Sequence, residues 1–566
     1  MKTSRYRQSA ILLQKCMVFF APILSRPWAF SKSNPDLVFS LIAASGLVTI
    51  YNWRFWDSLI DVMPIRTATD AGFAMALMML LIWLHSAVLL LMPSRSMMRF
   101  AACALIIAGA LCAFFADTYK IQIDRDMIRN VAQTDLAEAL GLLSLKLIIY
   151  FLLLGVAPVW LLIQVRLPAV STKRFLAQRV AGIFLGAIIV TIGIMLHSGQ
   201  FATFMRAHKP LRYLINPGNA FHATWRYLHH ETRLSPKPFV DVDGMVTRST
   251  SSADQKPLLI VLVVGETARA ANFQFLGHSD PTTPLLGKRE NLYQFSEVSS
   301  CGTSTAISLP CIFSGLGRKE FDITSPTERS NLLDTLNKAG VFVEWRDNNT
   351  GCKGICARVP TLQFKPNSDL SLCKQDYCYD EILLSGIRES ILATKKDQLR
   401  VLHQIGSHGP AYWRRYPSQF ERFKPTCRTN DLGKCSKEEI HNTYDNTIFY
   451  TDYVLDKTIS MLESLSGKYD TALLYISDHG ESLGENGLYL HGAPYSFAPK
   501  VQKHVPMMLW LSQGFHQRSS ISSACIRSAQ NRHLSHDNIY HTILGMMQIR
   551  NLVYSQSQDI LLDCRK

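Results

Sequence analysis

The 566-residue chain has no arginine-rich arm, no zinc-finger spacing and no basic stripe interleaved with aromatics, so its formal charge of +15 does not point to nucleic acid. It also lacks internal repeats and low-complexity tracts, which excludes repeat arrays and compositionally biased linkers. Cysteine is nearly missing from the first half, where only Cys16, Cys103 and Cys112 precede residue 301. Soluble-domain punctuation is equally scarce over the first 200 residues. Long apolar runs fill that stretch instead, at about residues 37 to 56, 71 to 93, 98 to 117, 142 to 165 and 177 to 198, each near the roughly 20 residues that cross a hydrocarbon core.

Five crossings put the two ends of the chain on opposite sides of a bilayer. Lys2, Arg5, Arg7, Lys15, Arg26, Lys32, Arg95, Arg99, Arg166, Lys173, Arg174 and Arg179 fall on one side, against Arg54, Arg66, Lys120, Arg125 and Arg129 on the other. Twelve against five makes the first side cytoplasmic. Everything after residue 199 is then exported. The remaining ten of the 13 cysteines agree, because they lie after residue 300 in close pairs suited to an oxidising compartment: Cys301 and Cys311, Cys352 and Cys356, Cys373 and Cys378, Cys427 and Cys435, Cys525 and Cys564. The apolar run Cys16 to Leu24 is short and followed by Arg26 rather than a clear cleavage site, so it reads as an uncleaved surface or re-entrant segment.

A chain of this length needs more than one core. The composition divides it into a transmembrane domain of five helices over 1–199, a bridging segment and linker over 200–256, and an exported catalytic domain over 257–566. In the bridge, Ala220 to His230 has helical character and would suit a membrane surface. From Pro257 onward, short apolar runs alternate with helical segments, the pattern of an α/β sheet.

Three of these runs end in residues able to bind metal. Pro257 to Val264 leads to Glu266, Ala472 to Ile476 leads to Asp478 and His479, and Val401 to Ile405 leads to Ser407 and His408. Ligand sites of open α/β sheets collect at such carboxyl ends. Any one of these acids or histidines is unremarkable in a polar loop. Together Glu266, Asp478 and His479 supply a mixed oxygen and nitrogen set suited to zinc, with one position left for a nucleophile; magnesium prefers oxygen alone, and manganese stays open.

The stretch Ser300-Cys301-Gly302-Thr303-Ser304-Thr305-Ala306-Ile307-Ser308-Leu309-Pro310-Cys311 offers small hydroxyls that a metal could activate. Spacing alone does not choose among Thr303, Ser304 and Thr305. Gly480-Glu481-Ser482-Leu483-Gly484 matches the G-x-S-x-G elbow of serine hydrolases, but there the nucleophile follows the strand directly, and here Asp478 and His479 take that place. Asn130, Thr134 and Glu138 recur every four residues, so a helix would set them on one face; the wet side of an interfacial helix gives the same spacing.

Val263-Val264-Gly265-Glu266-Thr267, the Cys301 to Cys311 stretch, Ser407-His408-Gly409-Pro410, Tyr444-Asp445-Asn446 and Ser477-Asp478-His479-Gly480-Glu481-Ser482-Leu483-Gly484-Glu485-Asn486-Gly487 resemble the lipid A phosphoethanolamine transferases. That family includes the mobile colistin resistance enzymes and belongs to the alkaline phosphatase superfamily, and the resemblance covers nearly the whole chain. It implies an alkaline-phosphatase-like (sulfatase-like) periplasmic domain behind the membrane helices, in the bacterial inner membrane. By the same resemblance Thr305 is the nucleophile, and Glu266, Thr305, Asp478 and His479 bind one catalytic zinc. His408 and His491 match histidines around the phosphoryl site or a second metal, and Asn349 and Lys353 match polar residues near the donor phosphate. Asn130, Thr134 and Glu138 match positions implicated in the donor headgroup.

The cysteine pairs match the family's disulfides; sequence arithmetic alone leaves their connectivity open. The implied reaction moves phosphoethanolamine from phosphatidylethanolamine to a phosphate of lipid A through a threonine adduct, in a monomer, and protects the cell from polymyxin. The alternatives are a phosphoethanolamine or phosphoglycerol transferase with another glycan acceptor such as Kdo, and a sensor with an inactive domain. No C-x-P-x-R site is present, which disfavours a sulfatase dependent on formylglycine.

Overall fold

The computed structural model describes residues 34–133, 142–168, 171–207, 209–232, 239–248, 255–321, 328–366 and 368–565. By contacts they form two compact units: residues through Asp117 with Leu145–Phe221, and Thr118–Ser144 with His222–Lys566. The Cys16 to Leu24 segment, Thr134 and Glu138 lie outside the described residues.

Among the described residues four helices are long and apolar enough to cross a membrane: Ala68–Leu90, Arg95–Tyr119, Leu145–Gln164 and Thr172–Leu196. The first expected crossing, 37 to 56, is not one straight helix. It is the pair Pro35–Thr49 and Trp53–Val62, bent by 58°, and it makes a fifth span only if the pair counts as one. Asn52 explains the break. Its side-chain amide donates to Leu47 O at 2.8 Å and to Asn216 O at 2.7 Å, giving partners to carbonyls that a helix break in an apolar setting would leave bare. At another point of the first unit, buried Asp36 pairs with Arg95 at 2.8 Å and Arg179 at 3.1 Å, joining three helices by one carboxylate.

The second unit is built on a seven-stranded sheet. In chain order its strands are β1 (Leu258–Gly265), β2 (Leu292–Phe295), β3 (Phe342–Asp347), β4 (Thr361–Gln363), β5 (Gln398–His403), β6 (Asp470–Ser477) and β7 (Met507–Leu511). Their spatial order is β2-β7-β6-β1-β5-β3-β4. All neighbours are parallel except β7, which runs against both β2 and β6.

β1 is a continuous apolar run because both of its faces are covered. Leu258, Ile260, Leu262 and Val264 pack with Leu309, Ile312, Ile539 and Ile543 on one side. Leu259, Val261 and Val263 pack with Tyr444, Ile448, Leu455 and Ile459 on the other. The second set comes from the helix Lys437–Ser464, which starts in a capping box: Ser436 Oγ accepts from Glu439 N at 3.1 Å, and Glu439 Oε2 accepts from Ser436 N at 2.6 Å. Five disulfides, Cys301–Cys311, Cys352–Cys356, Cys373–Cys378, Cys427–Cys435 and Cys525–Cys564, tie loops around this sheet.

Candidate active site

The parallel register decides which strand ends meet. Gly265 of β1 lies opposite Ser477 of β6, so the next residues, Glu266 and Asp478, leave the sheet side by side. His479 follows Asp478, and all three side chains are fully buried. His479 Nε2 stands 3.2 Å from Glu266 Oε1 and 3.4 Å from Asp478 Oδ2. The ligand atoms of the trio lie within 4.8 Å of one another, which is the spread of a metal-binding group.

Of the three hydroxyls that spacing left open, one faces this group. Thr305 Oγ1 is 2.9 and 3.1 Å from the two Glu266 carboxylate oxygens and 3.4 Å from His479 Nε2. Thr303 Oγ1 donates instead to Ala493 O at 2.6 Å. Ser304 and Thr303 line a cavity bordered also by Asp124, Asn130, Arg318 and Tyr495. Thr305 is the first residue of the helix Thr305–Ser314, where the positive end of the helix dipole favours negative charge on an incoming phosphoryl group. Ser482 of the G-x-S-x-G match is buried, and its hydroxyl accepts from Gln502 Nε2 at 2.9 Å.

The electrostatics are those of a cation site. Burial alone would raise the Glu266 carboxyl, but the His479 hydrogen bond and charge, with His408 and His491 nearby, hold it well below the usual range. Burial and the Glu266 charge push Asp478 up to about 6. Burial opposes protonation of His479, yet the Asp478 charge and the Glu266 hydrogen bond push it up to about 10. A proton on His479 thus balances two buried carboxylates where a divalent ion would do so. Asp478 Oδ2 is buried without a hydrogen-bond partner, which fits a ligand atom kept for metal.

Neighbouring groups hold these side chains in place. Thr267 Oγ1 donates to Glu266 Oε1 at 2.6 Å and its N–H to Asp478 Oδ1 at 3.1 Å. Its φ of 59° is left-handed, a strained conformation for a β-branched residue, and Tyr444 secures it by donating to Thr267 O at 2.7 Å. Asn349 lies off the end of β3; its amide donates to Glu266 Oε2 at 2.8 Å and Gln404 O at 3.0 Å. Behind it, His403 Nδ1 pairs with Asp347 at 2.9 Å.

The His491 ring centroid stands 4.4 Å from that of His479 and 5.4 Å from that of His408, so the two extra histidines continue from His479 as a run of rings. Glu481, fully buried, orients His491 through Nδ1 at 3.4 Å. Lys353 does not reach the metal group here; its ammonium donates to Thr350 Oγ1 at 2.8 Å and Thr350 O at 3.2 Å. Asn130 lies on the helix Arg125–Gln133, grouped by contacts with the catalytic unit, and borders the cavity beside Ser304. Reading the sequence missed Thr267, His403, Glu481 and His536. Thr267 and Glu481 had a local signal, since they stand inside the 263–267 and 477–487 motifs.

Two acids and a histidine at parallel strand ends, gathered around a threonine at the first position of a helix, define the catalytic half as sulfatase-like. The family model described as Sulfatase matches residues 259–549, and the one described as Phosphoethanolamine transferase EptA/EptB matches residues 81–232. Phosphoethanolamine transferase EptA of Salmonella typhimurium is 38% identical over 535 residues, which cover 94% of this chain and 97% of that protein. Phosphatidylethanolamine transferase Mcr-1 of Escherichia coli is 35% identical over 532 residues, covering 92% and 96%. The solved integral membrane protein lipooligosaccharide phosphoethanolamine transferase A (EptA) of Neisseria meningitidis superposes with a TM-score of 0.88 at 33% identity, over 93% of this chain and 98% of that one. The chain belongs to the EptA family of phosphoethanolamine transferases and is an integral membrane protein.

Proposed function

We propose that the protein transfers phosphoethanolamine from phosphatidylethanolamine to a phosphate of lipid A, at the periplasmic face of the bacterial inner membrane and as a monomer. The observation that carries this reading is the Thr305 hydroxyl, set 2.9 Å from Glu266 and 3.4 Å from His479 in a buried group of two carboxylates and an imidazole.

Glu266, Thr305, Asp478 and His479 would hold one zinc ion, which when bound lowers the pKa of the threonine hydroxyl and draws negative charge from a phosphoryl group. The helix Thr305–Ser314 presents Oγ1 at its N-terminus, facing the incoming phosphorus. In the first step Thr305 loses its hydroxyl proton to solvent, the Oγ1–P bond forms and the bond from phosphorus to the glyceryl oxygen breaks. That oxygen takes a proton and diacylglycerol leaves. His491, held by Glu481, and His408 stand where they could donate it, and they could equally hold a second metal.

In the second step an oxygen of a lipid A phosphate attacks the same phosphorus, the Oγ1–P bond breaks, Oγ1 takes back a proton, and Thr305 is restored. Asn130 borders a neighbouring cavity and is assigned with Thr134 and Glu138 to the donor headgroup; Asn349 and Lys353 are assigned to the donor phosphate side. The added ammonium group lowers the negative surface charge of lipid A, so polymyxin binds less well.

Mass spectrometry of lipid A from cells carrying the wild-type protein or Thr305→Ala tests the reading. The expected result is a phosphoethanolamine mass increment on lipid A, and polymyxin protection, that both vanish with Thr305→Ala. An active Thr305→Ala protein removes the nucleophile assignment. An increment confined to the Kdo or core sugars replaces lipid A phosphate by another glycan acceptor.

A further inference from the structure

We infer that His536 is a positioning residue for the transfer reaction, tying the backbone of the nucleophile loop to the backbone that carries Asp478. The inference rests on the reading of Thr305 as nucleophile and concerns what keeps Thr305 in register with the metal ligands.

His536 is fully buried, and each ring nitrogen meets one backbone group. Cys301 N donates to Nδ1 at 3.0 Å, and Nε2 lies 2.9 Å from Ser477 O. An amide N–H can only donate and a carbonyl can only accept, so one tautomer satisfies both: Nδ1 bare and Nε2 carrying the hydrogen. A second proton on Nδ1 would set donor against donor at Cys301. Burial, with the charge of His479 nearby, takes this imidazole down to about 3, and the neutral ring is the stable form.

The two backbone groups belong to the two halves of the site. Cys301 opens the loop that reaches Thr305 four residues later, and Ser477 is the last residue of β6, directly before Asp478. The bridge is one imidazole wide. The Cys301 peptide is held at its other end too, since the Arg318 guanidinium donates to Cys301 O. Ser477 is equally fixed, with its Oγ donating to His479 O at 3.0 Å and accepting from Ala268 N at 2.8 Å.

The ring itself cannot drift. His536 N donates to Ser299 O at 3.0 Å, and the residue caps the helix Asp537–Met546, whose Ile539, Ile543 and Leu544 sit in the core. Loss of the bridge would leave a buried N–H and a buried C=O without partners and let the loop shift against the ligands. A displacement of about 1 Å at a reacting atom can lower a rate by about a hundredfold without changing how the rest of the substrate binds.

The test compares full-length wild type, His536→Ala, His536→Asn and His536→Gln in detergent, with Thr305→Ala as the inactive control. The measurements are kcat and KM with a fluorescent phosphatidylethanolamine analogue, the fraction of chain carrying the phosphoethanolamine adduct, and bound zinc per chain. His536→Ala is expected to lose about tenfold or more in kcat and adduct, with KM within about twofold and zinc still bound. His536→Gln, whose amide offers one acceptor and one donor, should recover part of the loss. Should His536→Ala not fold, His536→Asn takes its place: it keeps an acceptor toward Cys301 but is too short to reach Ser477, and its kcat should also fall. Wild-type kcat in a folded, zinc-loaded His536→Ala or His536→Asn protein overturns the inference, as does a His536→Gln protein no better than either. An inactive wild type would instead overturn the proposed reaction.

Discussion

Asn349 shows how a single side chain in this site serves another residue. Its amide donates to Glu266 Oε2 and Gln404 O, at 2.8 and 3.0 Å, so it also steadies a candidate metal ligand. Residues that orient a ligand commonly matter about 10- to 100-fold in metal affinity. Asn349→Ala is therefore expected to weaken zinc binding by about that factor in a chelator competition. If its zinc affinity is unchanged while KM for the donor rises, Asn349 belongs to the substrate. The same scale separates Thr305 from Thr303 and Ser304. All three are small hydroxyls in one loop, and the difference lies in the turn of chain entering the helix, which sends Thr303 to Ala493 and Thr305 to Glu266. No property of the residues as types could choose among them.

Among the elements, the loop from Cys301 to Cys311 carries the largest share of the site's order. The disulfide closes a loop with a sequence separation of 10 around Thr305, His536 and Arg318 hold the backbone N–H and C=O of Cys301, and the helix Thr305–Ser314 is anchored by Leu309 and Ile312. Closing a loop of this length removes unfolded-state freedom worth about 2–3 kcal/mol. Replacing both cysteines by serine should lower the unfolding free energy by that order, and transfer activity should fall at temperatures where circular dichroism still reports a folded domain. Activity that declines only in step with unfolding would assign the disulfide to stability alone.

The strands β1 and β6 were legible as elements because each is a short apolar run ending in polar residues. The trio Glu266, Asp478 and His479 could be picked out for the same reason. The break near Asn52 and the role of His536 were not, because their partners are remote: Asn216 is 164 residues from Asn52, and Cys301 is 235 residues from His536. A local pattern holds no record of such a contact.

For the whole molecule, the charge asymmetry of the apolar half and the paired cysteines of the other half lead to one orientation, with the catalytic domain exported. A reporter active only in the periplasm, fused after Lys566, should be active, and a reporter active only in the cytoplasm should be silent at the same position. The reverse pattern would put the disulfides in a reducing compartment and remove access to lipid A on the outer leaflet. Five disulfides in the catalytic half agree with an oxidising compartment.

The amino-acid sequence by itself determined the division into an apolar, cation-flanked half and a cysteine-paired α/β half, and it marked the acids and histidine at the strand ends. Those properties depend on composition and on periodicities of a few residues, which water, lipid and redox compartment read directly. Only the tertiary structure decided which hydroxyl meets Glu266 and His479, that Asn349 donates to Glu266, and that His536 bridges the Cys301 N–H and the Ser477 carbonyl at the end of β6. Each of those requires atoms from distant segments to converge within about 3 Å, the range of a hydrogen bond or a ligand contact, and such convergence is a property of packing and register, not of local sequence.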